Sequence, residues 1–434
     1  MTKRSLLISI RGSLWFTPAL LLMFGSALAL GLVFIDRRYV ADIAEKWPAW
    51  LTAGPEAARQ ILSAITSSMI TVTGVVFSIT IVSLSLASNQ FSPRVLRSFM
   101  RDRVNQLVLG VLVGVFMYGL LVLQSVRSDS VVFVPQVALW GAIVLSLVAL
   151  GFLIAFLHHT AVSIQASEIV AHLAQETLQA LRKVRASEVH PGTPVAETPP
   201  HSATFSISSP VTGYIQDIAA DELEEIALRL DLTLEVEHGV GDFVIEGRPL
   251  VRIHGDEPPA PREIARIRGC FGLNAYRTIE QDPAFGMRQI LDIALKALSP
   301  GINDTTTAIH CIDYLGAILH EVVRPAEPLP KRATERADRR VRIKVPNVAH
   351  YLDLAFHEIR QHARGNVPVL LRLSRTLRGV VGEATEAAAR ETALKHLALL
   401  HTAAASVPCE QDRAVVVESL NAVSPAPSRG GAAP

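Results

Sequence analysis

Apolar positions crowd into the first 160 residues, where four long stretches stand at about 13–35, 61–88, 105–126 and 131–157. Each reaches the roughly 20 residues that a helix needs to cross a hydrocarbon core of about 30 Å. None carries a charged residue before its last positions, and no later stretch matches them. The pattern predicts four transmembrane helices. Lys3, Arg4 and Arg11 precede the first, and Ala27-Leu28-Ala29 is a candidate cleavage triplet. The apolar run continues to Ile35, beyond a signal-peptide core, so an uncleaved first span is expected.

After His158 the period changes. Ala166, Val170, Leu173, Leu181 and Val184 recur at helical spacing, which predicts an amphipathic extension of the fourth helix over 161–186. A loop rich in Pro, Ser and Thr follows at 187–203, and residues 204–255 read as short strands around one helix. Helices are expected at 284–298 and 304–323, broken by Ser299-Pro300-Gly301, and two or three more at 348–406. The fold class is therefore an α-helical membrane domain of four transmembrane helices followed by a cytoplasmic α+β domain. The expected division is a transmembrane domain at 1–160, an amphipathic helix and linker at 161–203, and the α+β domain at 204–323. A basic, proline-punctuated linker at 324–347, a C-terminal helical region at 348–420 and a disordered tail at 421–434 complete it.

Charge sets the orientation. Lys3, Arg4, Arg11, Arg94, Arg97, Arg101 and Arg103 fall on one side, against Arg37, Arg38, Lys46, Arg59 and Arg127 on the other, where acids dilute them. Seven basic residues against five place both termini in the cytoplasm, with Trp15, Trp47 and Trp50 as interfacial anchors. Half the chain is hydrophobic and 19% is charged, below the roughly one quarter of ordinary soluble proteins. A net charge of +1 argues against a whole-chain polyanion binder. Cys270, Cys311 and Cys409 lie too far apart for a disulfide framework or a thiolate metal cage, and suit a reducing compartment.

Two long motifs carry a resemblance. The first is Ser68-Met69-Ile70-Thr71-Val72-Thr73-Gly74-Val75-Val76-Phe77-Ser78-Ile79-Thr80, continued by Gln90-Phe91-Ser92-Pro93-Arg94-Val95-Leu96. The second is Gln281-Asp282-Pro283-Ala284-Phe285-Gly286-Met287-Arg288-Gln289, continued through Asp292-Ile293-Ala294 to Ala297-Leu298-Ser299-Pro300-Gly301-Ile302-Asn303-Asp304. In this order they resemble a bacterial family of predicted membrane proteins, domain of unknown function 2254, over most of the chain up to about residue 400. The resemblance implies a bacterial inner-membrane protein and brings no activity, cofactor or catalytic residue with it.

Chemistry must then be read from the residues. In the second span, Ser63, Ser67, Thr71, Gly74, Ser78, Ser85 and Ser88 fall mostly three or four apart on one face, with Thr66, Thr73 and Thr80 beside them. Tight packing through small residues, also suggested by Gly110-x-x-x-Gly114, stands against a hydroxyl-lined pathway through an oligomer. Arg94, Arg97, Arg101 and Arg103 form a topogenic signal that can also meet anionic lipid headgroups. His158 and His159 point about 100° apart on a helix and read as an interfacial cap rather than a metal site.

Two features of the α+β domain stand out. Residues 209–218 and 241–253 have the rhythm of the two halves of a barrel-sandwich hybrid, a fold of lipoyl and adaptor modules. The acidic connection 221–237 lacks the lysine that a carrier domain needs. The other feature is the candidate ligand site at 280–313. Arg288, Asp292 and Lys296 form one helical stripe, and Asn303 or Asp304 can cap the next helix ahead of Thr305, Thr306 and Thr307. A helix start with a cation nearby suits an anionic small ligand, whereas the acids favour pure capping.

No Walker loop, G-x-G-x-x-G, H-E-x-x-H or G-x-S-x-G motif occurs, so no catalytic residue, metal or cofactor is implied. The basic stretch Lys331 to Lys344 is interleaved with Glu335 and Asp338 and lacks aromatics, which favours a solvated linker or a lipid contact over nucleic acid. The expected protein is a homo-oligomer in contact with membrane lipid. It would couple a cytoplasmic sensing domain to a membrane event such as passage of a small solute or ion. The alternatives are a scaffold that docks cytoplasmic partners and a membrane enzyme of unrecognised class.

Overall fold

The structure is a computed structural model that describes residues 15–46, 52–90, 103–127, 132–163, 165–186, 203–324, 340–363 and 365–422. The chain forms two compact units, Met1–Gln165 and Ala166–Pro434.

The first unit holds helices α1 (Phe16–Lys46), α2 (Pro55–Gln90), α3 (Arg103–Ser125) and α4 (Gln136–Ser163). Within them Phe16–Tyr39, Pro55–Leu86, Arg103–Ser125 and Gln136–Val162 are each long and apolar enough to cross a membrane. The third is central: 56% of its apolar window is buried, against 22% or less in the others. Glycine permits this. A Cβ on Gly114 would stand 2.9 Å from the Leu21 carbonyl oxygen, and one on Gly110 would stand 3.1 Å from the Pro18 Cα. The Gly-x-x-x-Gly pattern is thus spent on a close crossing of α3 with α1.

One end of this bundle is stitched by polar groups. The Asp36 carboxylate accepts from the Val137 and Ala138 N–H groups at 3.0 and 2.9 Å, so α1 caps the start of α4. Gln136 and the Ala53 backbone exchange two hydrogen bonds of 3.1 and 2.8 Å. The Tyr118 hydroxyl donates to the Ala138 carbonyl at 2.7 Å, and Arg59 donates to the Val126 carbonyl at 3.2 Å. Asp36 is 1% exposed.

The second unit combines a β module with a helical bundle. The module contains β1 (Ala203–Ser208), β2 (Gly213–Ile218), α6 (Ala220–Leu230), β3 (Thr233–Val236), β4 (Phe243–Val244), β5 (Pro249–Gly255), α7 (Pro261–Gly269) and β6 (Phe271–Asn274). It is joined by β7 (Val341–Arg342). One sheet has the order β1-β5-β3-β7 and the other β4-β2-β6. All pairings are antiparallel except β3 with β7. Ile215, Leu223, Ile226, Leu234, Leu250 and Ile253 fill a common core.

The expected barrel-sandwich does not form, because the sheets do not close. The reason is pairing. Most of the second half-motif lies in β5, which pairs with β1 and β3, while β2 takes β6 and a β4 of only two residues.

The helices are α5 (Ala166–Ala186), α8 (Pro283–Ala297), α9 (Thr305–Val323), α10 (Val348–His362), α11 (Val367–Glu383), α12 (Ala387–Ala404) and α13 (Glu410–Asn421). Helix α8 packs on α5, α9 and α10, and α9 packs on α11. Residues 284–323 and 348–420 therefore share one bundle. Helix α5, expected as a continuation of α4, starts separately at Ala166. Polar side chains begin several helices: Asp282 caps α8, Asp304 caps α9, Asn347 caps α10 and Asn366 caps α11.

Candidate functional site

The predicted stripe on α8 is present, and its members have different partners. Arg288 donates from Nε to Asp292 Oδ1 at 3.0 Å. Its two terminal nitrogens bind both carboxylate oxygens of Glu358 on α10, a bidentate pairing. Burial lowers the Arg288 pKa, but its bonds to Glu358 and Asp292 outweigh that and leave the value above the ordinary one. The guanidinium already serves two carboxylates. Lys296 is exposed, with no ion-pair partner among the described residues.

The turn after α8 is held internally. The Ser299 hydroxyl donates to the Lys296 carbonyl at 2.6 Å, and the Asp304 N–H to the Ala297 carbonyl at 2.8 Å. Asn303 adopts φ +48°, a left-handed conformation that Asn tolerates better than most residues. Asp304 accepts from the Thr307 N–H at 3.0 Å and from the Thr307 hydroxyl at 2.5 Å. Those two bonds hold its carboxyl below the usual range. Thr305 accepts from Asn366 Nδ2 at 2.8 Å, which ties the turn to α11. Arg288 thus binds both Asp292 and Glu358, Asp304 meets Thr307, and Lys296 and Asn303 join neither cluster.

The start of the second motif has a structural explanation that sequence reading missed. Gln281 Oε1 accepts from the Ile218 N–H at 3.1 Å. Asp282 is 4% exposed, caps α8 through the Phe285 N–H at 3.0 Å, and takes Arg277 Nε and a terminal nitrogen at 2.8 and 2.7 Å. Arg277 stacks 5.0 Å over the Phe285 ring. Burial raises the Asp282 pKa, and Arg277 opposes the rise. A Cβ on Gly286 would collide with Thr177 of α5. Gln281-Asp282-Pro283-Ala284-Phe285-Gly286 is a joint linking β2, the Arg277 loop and the α5–α8 crossing.

On α2 the small-residue face turns away from its own bundle. Ser67, Thr71, Gly74 and Ser78 are all exposed, and a Cβ added at Gly74 would meet nothing within 4 Å. The Ser67 hydroxyl donates to the Ser63 carbonyl at 2.7 Å, and the Thr71 hydroxyl donates to the Ser67 carbonyl at 2.9 Å. Leu62, Thr66, Met69 and Val76 are buried, and Thr66 lies against Gly119. Arg94, Arg97, Arg101, Trp47, Trp50 and the linker residues 325–339 lie outside the described residues.

Four long apolar helices in one bundle, joined in sequence to a mixed helix and sheet unit, fit a membrane protein with four candidate spans. The chain belongs to the family described as predicted membrane protein DUF2254, which matches residues 11–379. It is also similar to uncharacterized proteins of Mycobacterium tuberculosis and Mycobacterium bovis, 31% identical over 454 residues, covering 99% of this chain and 85% of theirs. No solved structure matches.

Proposed function

We propose that this protein is a self-associating, multi-pass protein of the bacterial inner membrane that couples a cytoplasmic sensing unit to a membrane event such as passage of a small solute or ion. The observation that carries the reading is the outward Ser67, Thr71, Gly74, Ser78 face of α2. This chain's other small-residue pattern, Gly110 and Gly114, is consumed by the contact with α1. The α2 face has no such partner among the described residues of its own unit. Ser67 and Thr71 are satisfied by carbonyls of their own helix, which leaves a smooth surface that admits a second helix at short range. A second copy of α2 is the partner proposed here.

The excess of basic residues at the N-terminus and in the loop before α3 supports a cytoplasmic second unit. Native mass spectrometry from mild detergent tests self-association. Wild-type protein should be oligomeric and Gly74→Leu should shift it toward monomer, whereas a monomeric wild type removes the basis of the reading. Solute release from liposomes holding the same two proteins then separates a conducting oligomer from a scaffold.

A further inference from the structure

A cavity of about 410 Å³ lies inside the second unit, within the range of small-molecule pockets. It is bordered by α5, the β2–α6 junction, the start of α8, the segment after β7 and α10. Most of its wall is apolar, with Ile218, Val240, Ile343 and Val345 contributing.

The wall carries the donors Tyr351, Lys183 and Lys344 beside the three carboxylates Asp221, Glu222 and Asp282. Tyr351 is 5% exposed and lines the cavity, yet its hydroxyl bonds to no described residue. The hydroxyl is not sealed from solvent, so it is free to donate to whatever occupies the cavity. Burial first, and the nearby Asp282 charge second, push the Tyr351 pKa up to about 12, so it remains a donor at neutral pH. Helix α6 begins on the same wall with Ala219 as its cap residue and no side-chain cap. The N–H groups of Ala220, Asp221 and Glu222 accordingly lack a partner among the described residues. Lys183 and Lys344 add two ammonium groups.

Asp282 is already held by Arg277 and the Phe285 N–H, while Asp221, Glu222, Lys183 and Lys344 are all exposed. We propose that this cavity binds an amphipathic acid, with an apolar body against the aliphatic wall and a carboxylate or phosphate head among Tyr351, the open start of α6 and the two lysines. An uncapped helix start favours such an oxyanion, and the unpartnered Tyr351 hydroxyl supplies a donor that a purely apolar ligand would leave unused. The assignment deepens the sensing half of the function proposed above, because it names the class of compound that would be sensed.

The test is calorimetric titration of the full-length protein in lipid nanodiscs with octanoate and octyl phosphate, with empty nanodiscs as reference. At least one probe should bind saturably, one per chain, and octanol should bind about tenfold more weakly for want of the charge. Tyr351→Phe should weaken binding about tenfold with an unchanged melting temperature, and Val240→Trp should abolish it by filling the space. If Val240→Trp does not fold, Tyr351→Phe decides alone. Absence of saturable binding by both probes overturns the proposal, as does equal affinity in wild type and Tyr351→Phe. Mass spectrometry of compounds released from freshly purified wild type, with Tyr351→Phe as control, distinguishes a free acid from a membrane-lipid acid. Binding is read directly, so its failure leaves self-association standing, and a monomeric wild type leaves the binding result standing.

Discussion

Asp36 on α1 holds the N–H groups of Val137 and Ala138 at the start of α4, across about a hundred residues of chain. A helix start needs acceptors for its free N–H groups, and here another helix supplies them. Removing the carboxylate leaves one buried and one half-buried donor unmet. Asp36→Ala should therefore lower stability by about 2 kcal/mol, measured by thermal unfolding in detergent, while Asp36→Asn should lose less because its side-chain oxygen still accepts. Equal melting temperatures for wild type and Asp36→Ala would show that water reaches this end of the bundle.

Arg288 should be structural in its own right. Its bidentate contact with Glu358 and its bond to Asp292 join α8 to α10. Arg288→Ala should cost about 2 kcal/mol, and a double-mutant cycle with Glu358→Gln should show coupling of about 1 kcal/mol or more. Additive losses would mean that the two side chains do not share one interaction.

Asp304 offers a contrast, since Asn caps a helix about as well as Asp. Asp304→Asn should be nearly silent at neutral pH and Asp304→Ala should cost about 1 kcal/mol. The folded carboxyl titrates below its ordinary value because Thr307 donates to it twice. Its contribution is therefore present above the unfolded value of about 3.9 and is lost as pH falls through the lower folded value. The Asn variant should lack that part of the acid sensitivity. A large loss of ligand retention in Asp304→Asn with unchanged stability would instead point to a binding role for the turn.

The spans and the Asp304 cap were legible because their causes are local. An apolar run of span length needs no partner to be recognised, and Asp304 lies three residues from the Thr307 N–H that it binds. Asp36, Glu358 and the partnership of Gln281 with Ile218 were not legible, since their partners lie about 60 to 100 residues away. The small-residue face of α2 could be read as a stripe, but not which way it turned. Val72, next to Thr71 along the chain, packs partly against the bundle core. The barrel expectation failed for a related reason: alternating Val and Ile with turn glycines specify strands, and pairing among them is set by what α6 and β6 leave available.

His396 is 1% exposed and bonds through Nε2 to Asp353 at 2.9 Å, while Nδ1 has no partner. Burial lowers its pKa; Asp353 opposes the shift, and Arg360 and His357 add to it. A histidine depressed in the fold binds its proton more readily once unfolded. Its stabilising contribution is complete above the ordinary value of 6.5 and is lost as pH falls toward the lower folded value. The melting temperature should drop between pH 7 and pH 5, and His396→Gln should flatten that drop. A drop of the same size in the variant would assign it to other groups.

Self-association through α2 is tested most directly by disulfide cross-linking in native membranes. Cys270 and Cys311 are buried and Cys409 is exposed, so Cys409→Ser gives a quiet background. On it, single variants Thr71→Cys and Gly74→Cys should form cross-linked dimers on mild oxidation. Leu147→Cys, at an exposed position of α4, should not. Cross-linking at Leu147 with none at Thr71 or Gly74 would contradict the account and assign the small-residue face of α2 to lipid.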